Sequence, residues 1–183
     1  MATAMKNSLC FMLFMVGLIF PVLSYAQETP PPAYQLAAYN AGVPSEVLYA
    51  VALTESGLKI DNQLLPWPWT LNIAGQGRFF RSREDACVAL TTALKTVPAK
   101  RVDIGLGQIN YGYHGGRVEN PCDFLDPYLN LSIAADILQS QHKESQGWLR
   151  TIGRYHSPAD GDQATRYRNV ANYHLVRMTS TSK

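Results

Sequence analysis

Ser45-Glu46-Val47-Leu48-Tyr49-Ala50-Val51-Ala52-Leu53-Thr54-Glu55-Ser56 is the stretch on which the fold turns. It reads as a helix. Gly42-Val43-Pro44 breaks the chain before it and Gly57 follows its end, the usual Pro-before, Gly-after asymmetry. At about 100° per residue, Glu55 falls between Val51 and Leu48, inside the apolar arc that also holds Val47 and Ala52. A carboxyl group is thereby aimed at the core side of its own helix, in the last turn. Burial raises a carboxyl pKa, and the negative end of the helix dipole acts in the same direction. A glutamic acid that keeps its proton near neutral pH suits acid catalysis of glycosidic cleavage. The competing reading is a terminal Glu whose head reaches solvent, since Glu is seldom buried without a partner.

The chain of 183 residues opens like an export signal. Lys6 is a small basic n-region, Leu9–Phe20 an apolar core, and Ser24-Tyr25-Ala26 a small-x-small cleavage site. Residues 1–26 are therefore expected to be a signal peptide and 27–183 one exported, periplasmic domain. An uncleaved anchor is the alternative. Lys and Arg total 16 against 14 Asp and Glu, which gives no support for a nucleic-acid partner. Cys10 falls in the signal, leaving Cys87 and Cys122. In an exported chain the pair favours a disulfide, with two buried thiols as the alternative. Closing that loop would contribute roughly 3–4 kcal/mol on the chain-entropy model. The four His residues show no ligand spacing, so no metal and no cofactor is expected.

Along the domain, a polar, Pro-rich lead at 27–32 is expected to be mobile. A short helix follows at 33–41, stopped by Gly42. After the Glu55 helix, 59–65 reads as a polar connection. Pro66–Arg81 reads as a β-hairpin around a Gly-rich turn. Ser82 with Asp85 caps a helix to about Thr96 that buries Ala86, Leu90, Ala93 and Val97 and carries Cys87. Arg101–Asn110 holds two glycines among apolar residues, which argues for a bent segment where backbone approaches something closely. Tyr111–Gly116 reads as a flexible aromatic loop, and Cys122 falls in a loop at 120–125. Asp126-Pro127 starts a helix to about Lys143, Gly147–His156 is another, and Asp162 caps a last one over 163–178. The sum is α+β, mostly α, with a small β-hairpin, the pattern of a lysozyme-like fold.

Three marks in order carry a resemblance: Glu55-Ser56-Gly57, then Gly105-Leu106-Gly107-Gln108-Ile109-Asn110, then Ile152-Gly153-Arg154-Tyr155-His156. Together they resemble the soluble lytic transglycosylase family, goose-lysozyme-like enzymes that cleave peptidoglycan. The match runs from about Ala37 to Val176. The form Asp103–Asn110 is most similar to members carried with conjugation and type IV secretion systems, and the inserted Pro66–Arg81 hairpin with the helix after it resembles those of integrating conjugative elements. Two positions depart: Gly107 stands where the family usually has Met, and His156 where it usually has Asn.

The resemblance implies non-hydrolytic cleavage of the β-1,4 bond between N-acetylmuramic acid and N-acetylglucosamine, leaving a 1,6-anhydro end. The partners it implies are glycan strands and components of a conjugation or secretion apparatus. It makes Glu55 the acid and then the base. It makes Ser56 and Gln108 contacts to the sugar, though either side chain has a purely backbone-bonding alternative. Tyr155 is expected to set its hydroxyl near the acid or the sugar acetamide. Tyr111, Tyr113, Trp67 and Trp69 are candidates to stack on sugar rings or to join the core. Asp103 reads as a structural tie of the bend. It is also the rival second carboxylate, with Asp61, for a hydrolytic muramidase. A non-catalytic wall-binding component is the third reading.

Overall fold

A computed structural model describes residues 28–179. The expected signal at 1–26, with Lys6 and Cys10, lies outside the described residues, as do Gln27 and 180–183. The described chain is α+β and mostly helical, with two small antiparallel sheets.

Helix α1 (Pro32–Ala41) ends at Gly42, whose left-handed backbone lets its N–H bond Ala38 and Tyr39 carbonyls. Helix α2 spans Ser45–Ser56, the residues the sequence marks. It is the axis of the molecule. Val47 through Leu53 are all buried, because α1, α5 (Pro127–Gln141), α6 (Gly147–His156) and α7 (Asp162–Thr179) pack around it. A helix apolar on every side must be enclosed in this way. The wheel's arc is thus one sector of a fully wrapped helix.

Gly57 is not a left-handed cap. Its backbone is extended and begins strand β1. Glycine is needed there for space, since a Cβ would sit 2.3 Å from the Leu53 carbonyl oxygen. The expected polar connection is a second hairpin, β1 (Gly57–Ile60) with β2 (Gln63–Pro66). Asp61 and Asn62 turn it with positive φ, the hairpin geometry Asx residues tolerate.

The expected hairpin is narrower than 66–81: β3 (Thr70–Ile73) pairs with β4 (Gln76–Phe79). Strand β3 also pairs with β5 (Val102–Ile104), and β5 with β6 (Ile109–Asn110), so the order is β4-β3-β5-β6. Helix α3 (Arg83–Thr96) starts at Ser82, whose hydroxyl accepts from the Asp85 N–H. Val97 caps its end, half-buried. Cys87 on α3 is bonded to Cys122 in the 3-10 turn Pro121–Leu125.

Three expectations need correction. Tyr111–Gly116 is not a flexible loop: Tyr111–His114 form a helical turn, α4, followed by a 3-10 turn at Gly115–Arg117. The lead is anchored from Glu28 onward, because Glu28 pairs with Arg177 and the Pro30 carbonyl accepts from Gln35. Helix α5, capped by Asp126 as expected, ends at Gln141 rather than Lys143.

Candidate active site

The end of α2, the β5–β6 hairpin and the end of α6 converge on one cleft of about 690 Å³. Its lining includes Glu55, Asp103, Gln108, Tyr113, Arg154, Tyr155 and His156.

The β5–β6 bend is built around Asn130 of α5, which is buried. Its Nδ2 donates to the Ile104 and Phe124 carbonyls, each at 2.9 Å, and its Oδ1 accepts from the Gly107 N–H at 2.8 Å. Gly105 turns beneath it at φ 79°, where a Cβ would come within 2.3 Å of Asn130 Nδ2. Gly107 is pressed on both sides: a Cβ there would lie 2.7 Å from Ala134 Cβ and 2.9 Å from Tyr155 Oη. The close backbone approach expected of this segment is therefore to α5 and α6.

Glu55 lines the cleft, and its carboxyl is crowded by protein. Burial raises its pKa from the ordinary 4.5 to about 8; Asp103 pushes in the same direction and the Tyr167 hydroxyl opposes. Tyr167, on α7, is a neighbour of Glu55 that the sequence does not disclose. Its spacing marks it as a core residue, which it also is. Its buried hydroxyl makes no hydrogen bond of good geometry, yet it lies close enough to Glu55 for each to alter the other's ionisation. The His156 ring lies flat on the Tyr167 ring, centroids 4.6 Å apart.

Tyr155 donates from its hydroxyl to the Gly107 carbonyl at 2.6 Å. Burial holds this phenol far above its usual range, with Glu55 and Asp103 adding to the effect. It is therefore a neutral donor beside the acid. Asp103 lines the same cleft and accepts from Asn110 Nδ2 at 2.7 Å. Burial raises its pKa, against the Asn110 bond and the His156 imidazole. It is both a tie of the hairpin and a second carboxyl near Glu55. Asp61, at the tip of the β1–β2 turn, does not line the cleft.

Several expected sugar contacts are placed otherwise. Ser56 is 0% exposed, with its hydroxyl in reach of the Ala52 carbonyl at 3.0 Å and the Leu106 carbonyl at 2.8 Å. It cannot touch a ligand; it ties the acid's helix to the bend. Gln108 does line the cleft, but its amide Nε2 donates to the Gly105 and Thr70 carbonyls, so its donors serve the bend and the neighbouring strand β3. Tyr111 packs on the core, edge-on to Phe124, and does not line the cleft. Tyr113 does, 69% exposed, with Lys100 over its ring. Trp67 and Trp69 pack edge to face away from the cleft, Trp67 donating to the Phe80 carbonyl. Asn130 was invisible to sequence reasoning because nothing local distinguishes it from a surface helix residue.

Compared with protein-family models, with curated proteins and with solved structures, the chain finds no match.

Proposed function

We propose that the chain is an exported peptidoglycan lytic transglycosylase with a lysozyme-like arrangement of its helices around the acid. The observation that carries this reading is Glu55 itself: a carboxyl in a sugar-sized cleft, its pKa raised to about 8 and therefore mostly protonated at neutral pH. Such a group donates its proton to the glycosidic oxygen as the bond to the muramic acid carbon breaks. The resulting carboxylate then takes the proton of the sugar's own 6-hydroxyl, whose oxygen closes on the anomeric carbon. The substrate supplies its nucleophile, so one carboxyl suffices where ordinary glycosidases need two. Tyr155, neutral and fixed on the Gly107 carbonyl, shapes the wall beside the acid. By its resemblance to conjugation-associated members, the same reading extends to local opening of the wall for a secretion or conjugation apparatus.

The test is digestion of purified sacculi by the wild type and by Glu55→Gln, with the products weighed. The expected products are anhydro-muropeptides from the wild type, with the variant slower by roughly 10²-fold or more. Equal release by Glu55→Gln overturns the assignment.

Asp103 favours a second reading. A carboxyl in the same cleft, felt by Glu55, supports a hydrolytic muramidase in which Asp103 activates water. Its products are reducing ends, one water heavier than the anhydro form, so the same mass measurement separates the two.

A further inference from the structure

Arg154 is 6% exposed, and among the described residues no other Lys, Arg, Asp or Glu is as buried. Buried arginines are ordinarily paired with a carboxylate. This one is not. Its Nε and Nη2 both donate to the Gln141 carbonyl, at 3.1 and 2.8 Å, and its Nη1 donates to Gln146 Oε1. A guanidinium has five N–H donors, so two remain. The Gln141 carbonyl, at the end of α5, offers only the partial negative charge of a helix C-terminus. Arg154 also acts on Asp160, which is already engaged by Arg150 at 2.6 Å and Arg168 at 3.6 Å. Three arginines thus act on one carboxylate, and the buried one lines the cleft together with Ser140, Gln141 and Ser157.

From this we infer that Arg154 anchors a carboxylate-binding subsite within the cleft. The planar guanidinium fork matches a carboxylate, and its unpaired charge in a half-enclosed groove favours one. The inference rests on the peptidoglycan reading and names the part of the substrate recognised. N-acetylmuramic acid differs from N-acetylglucosamine by its lactyl arm. That arm ends in a carboxylate on a peptide-free strand and extends into a stem peptide with its own carboxylates on a substituted one. Either source presents the same chemistry to Arg154, and neither exists on a glucosamine-only chain. Arg117, in the same lining, adds positive character, although it is shared with Asp136 at 3.3 Å. The subsite would orient the strand so that the muramic acid, and not the glucosamine, presents its anomeric carbon to Glu55.

The test follows the Arg154 Nε–H signal of the Glu55→Gln domain, which leaves the probes uncut, by nitrogen-15 NMR during titration with three tetrasaccharides. These are chitotetraose, a peptide-free tetrasaccharide alternating N-acetylglucosamine and N-acetylmuramic acid, and the same alternating chain with stem peptides. The signal is expected to move with one or both acidic probes, which identifies the carboxylate source, and to stay still with chitotetraose. Arg154→Gln is expected to weaken the acidic probes tenfold or more and to leave chitotetraose within twofold. Arg150→Gln, which removes a neighbouring cation outside the cleft lining, should leave all three unchanged. A silent Arg154 at saturation with the acidic probes overturns the subsite. So does an equal loss for all probes in Arg154→Gln, or an Arg150→Gln that matches it. Because Arg154 also ties Gln141 to Gln146, the titration with Arg154 intact decides the matter if Arg154→Gln fails to fold. Failure of all three sugars to bind the domain with Arg154 intact defeats the peptidoglycan reading and the subsite with it, whereas binding with Arg154 silent defeats the subsite alone.

Discussion

The Ser56 hydroxyl donates to the Leu106 carbonyl at 2.8 Å, across 50 residues of sequence and fully out of water. The residue beside the acid thereby fastens the end of α2 to the bend that carries Gln108 and meets Tyr155. The relative position of Glu55 and its neighbours depends on this link. The Ser next to the Glu is a structural fastener for the site.

Ser56→Ala is expected to leave the Leu106 carbonyl buried without its partner. That loss is about 1–3 kcal/mol. Urea unfolding reads it directly as a lower midpoint with an unchanged slope. An unshifted midpoint would mean that the link carries no stability.

Gly107→Met restores the residue usual in the family that the chain resembles. In this fold it should be harmful. The first added carbon meets Ala134 Cβ at 2.7 Å and the Tyr155 hydroxyl at 2.9 Å. Overpacking of this kind costs about 1–3 kcal/mol, and it displaces the phenol from the Gly107 carbonyl. A lower melting temperature without a gain in activity is the expected result. A variant as stable as the wild type would show that α5 and α6 yield easily there.

Removal of the Cys87–Cys122 bond, by Cys87→Ala with Cys122→Ala, frees α3 from the 3-10 turn below it. The chain-entropy model puts the loss at roughly 3–4 kcal/mol. The Arg83 bond to the Cys122 carbonyl, 3.0 Å, remains and holds the local geometry. The double variant should therefore melt earlier but keep its activity at low temperature. Inactivity of a folded double variant would contradict this.

The fold should lose stability with rising pH because of Glu55. Its pKa is about 8 in the folded chain against an ordinary 4.5. Between those values the folded chain holds a proton that the unfolded chain has released, so stability falls as pH rises through the window. The penalty is complete above about pH 8 and absent below pH 4.5. Glu55→Gln removes it. The variant should match the wild type at pH 4 and exceed it at pH 8.5 by on the order of a few kcal/mol, read by urea unfolding at each pH. A constant difference across that range would refute the raised pKa.

Much of this architecture was legible locally, and the exceptions share a cause. Ser82, Asp126 and Gly42 announce helix ends because capping is a short-range hydrogen bond that a few residues decide. Glu55 was legible because helical spacing set it among apolar residues. The β1–β2 hairpin was not, since each strand has only four residues, too few for alternation to stand out, and only Asp61-Asn62 marks its turn. Tyr111 and Tyr113 look alike in sequence, but one packs on Phe124 and the other opens to the cleft. The Tyr167 and Asn130 contacts depend on how α7 and α5 pack against elements far away in the chain. No local pattern encodes that placement.

The central claim is that the Glu55 carboxyl holds its proton at neutral pH. Carbon-13 NMR of the side-chain carboxyl, followed from pH 3 to 10 and assigned with Glu55→Gln, measures this without reference to any substrate. The predicted midpoint is about 8. A midpoint near the ordinary 4.5 would contradict the account.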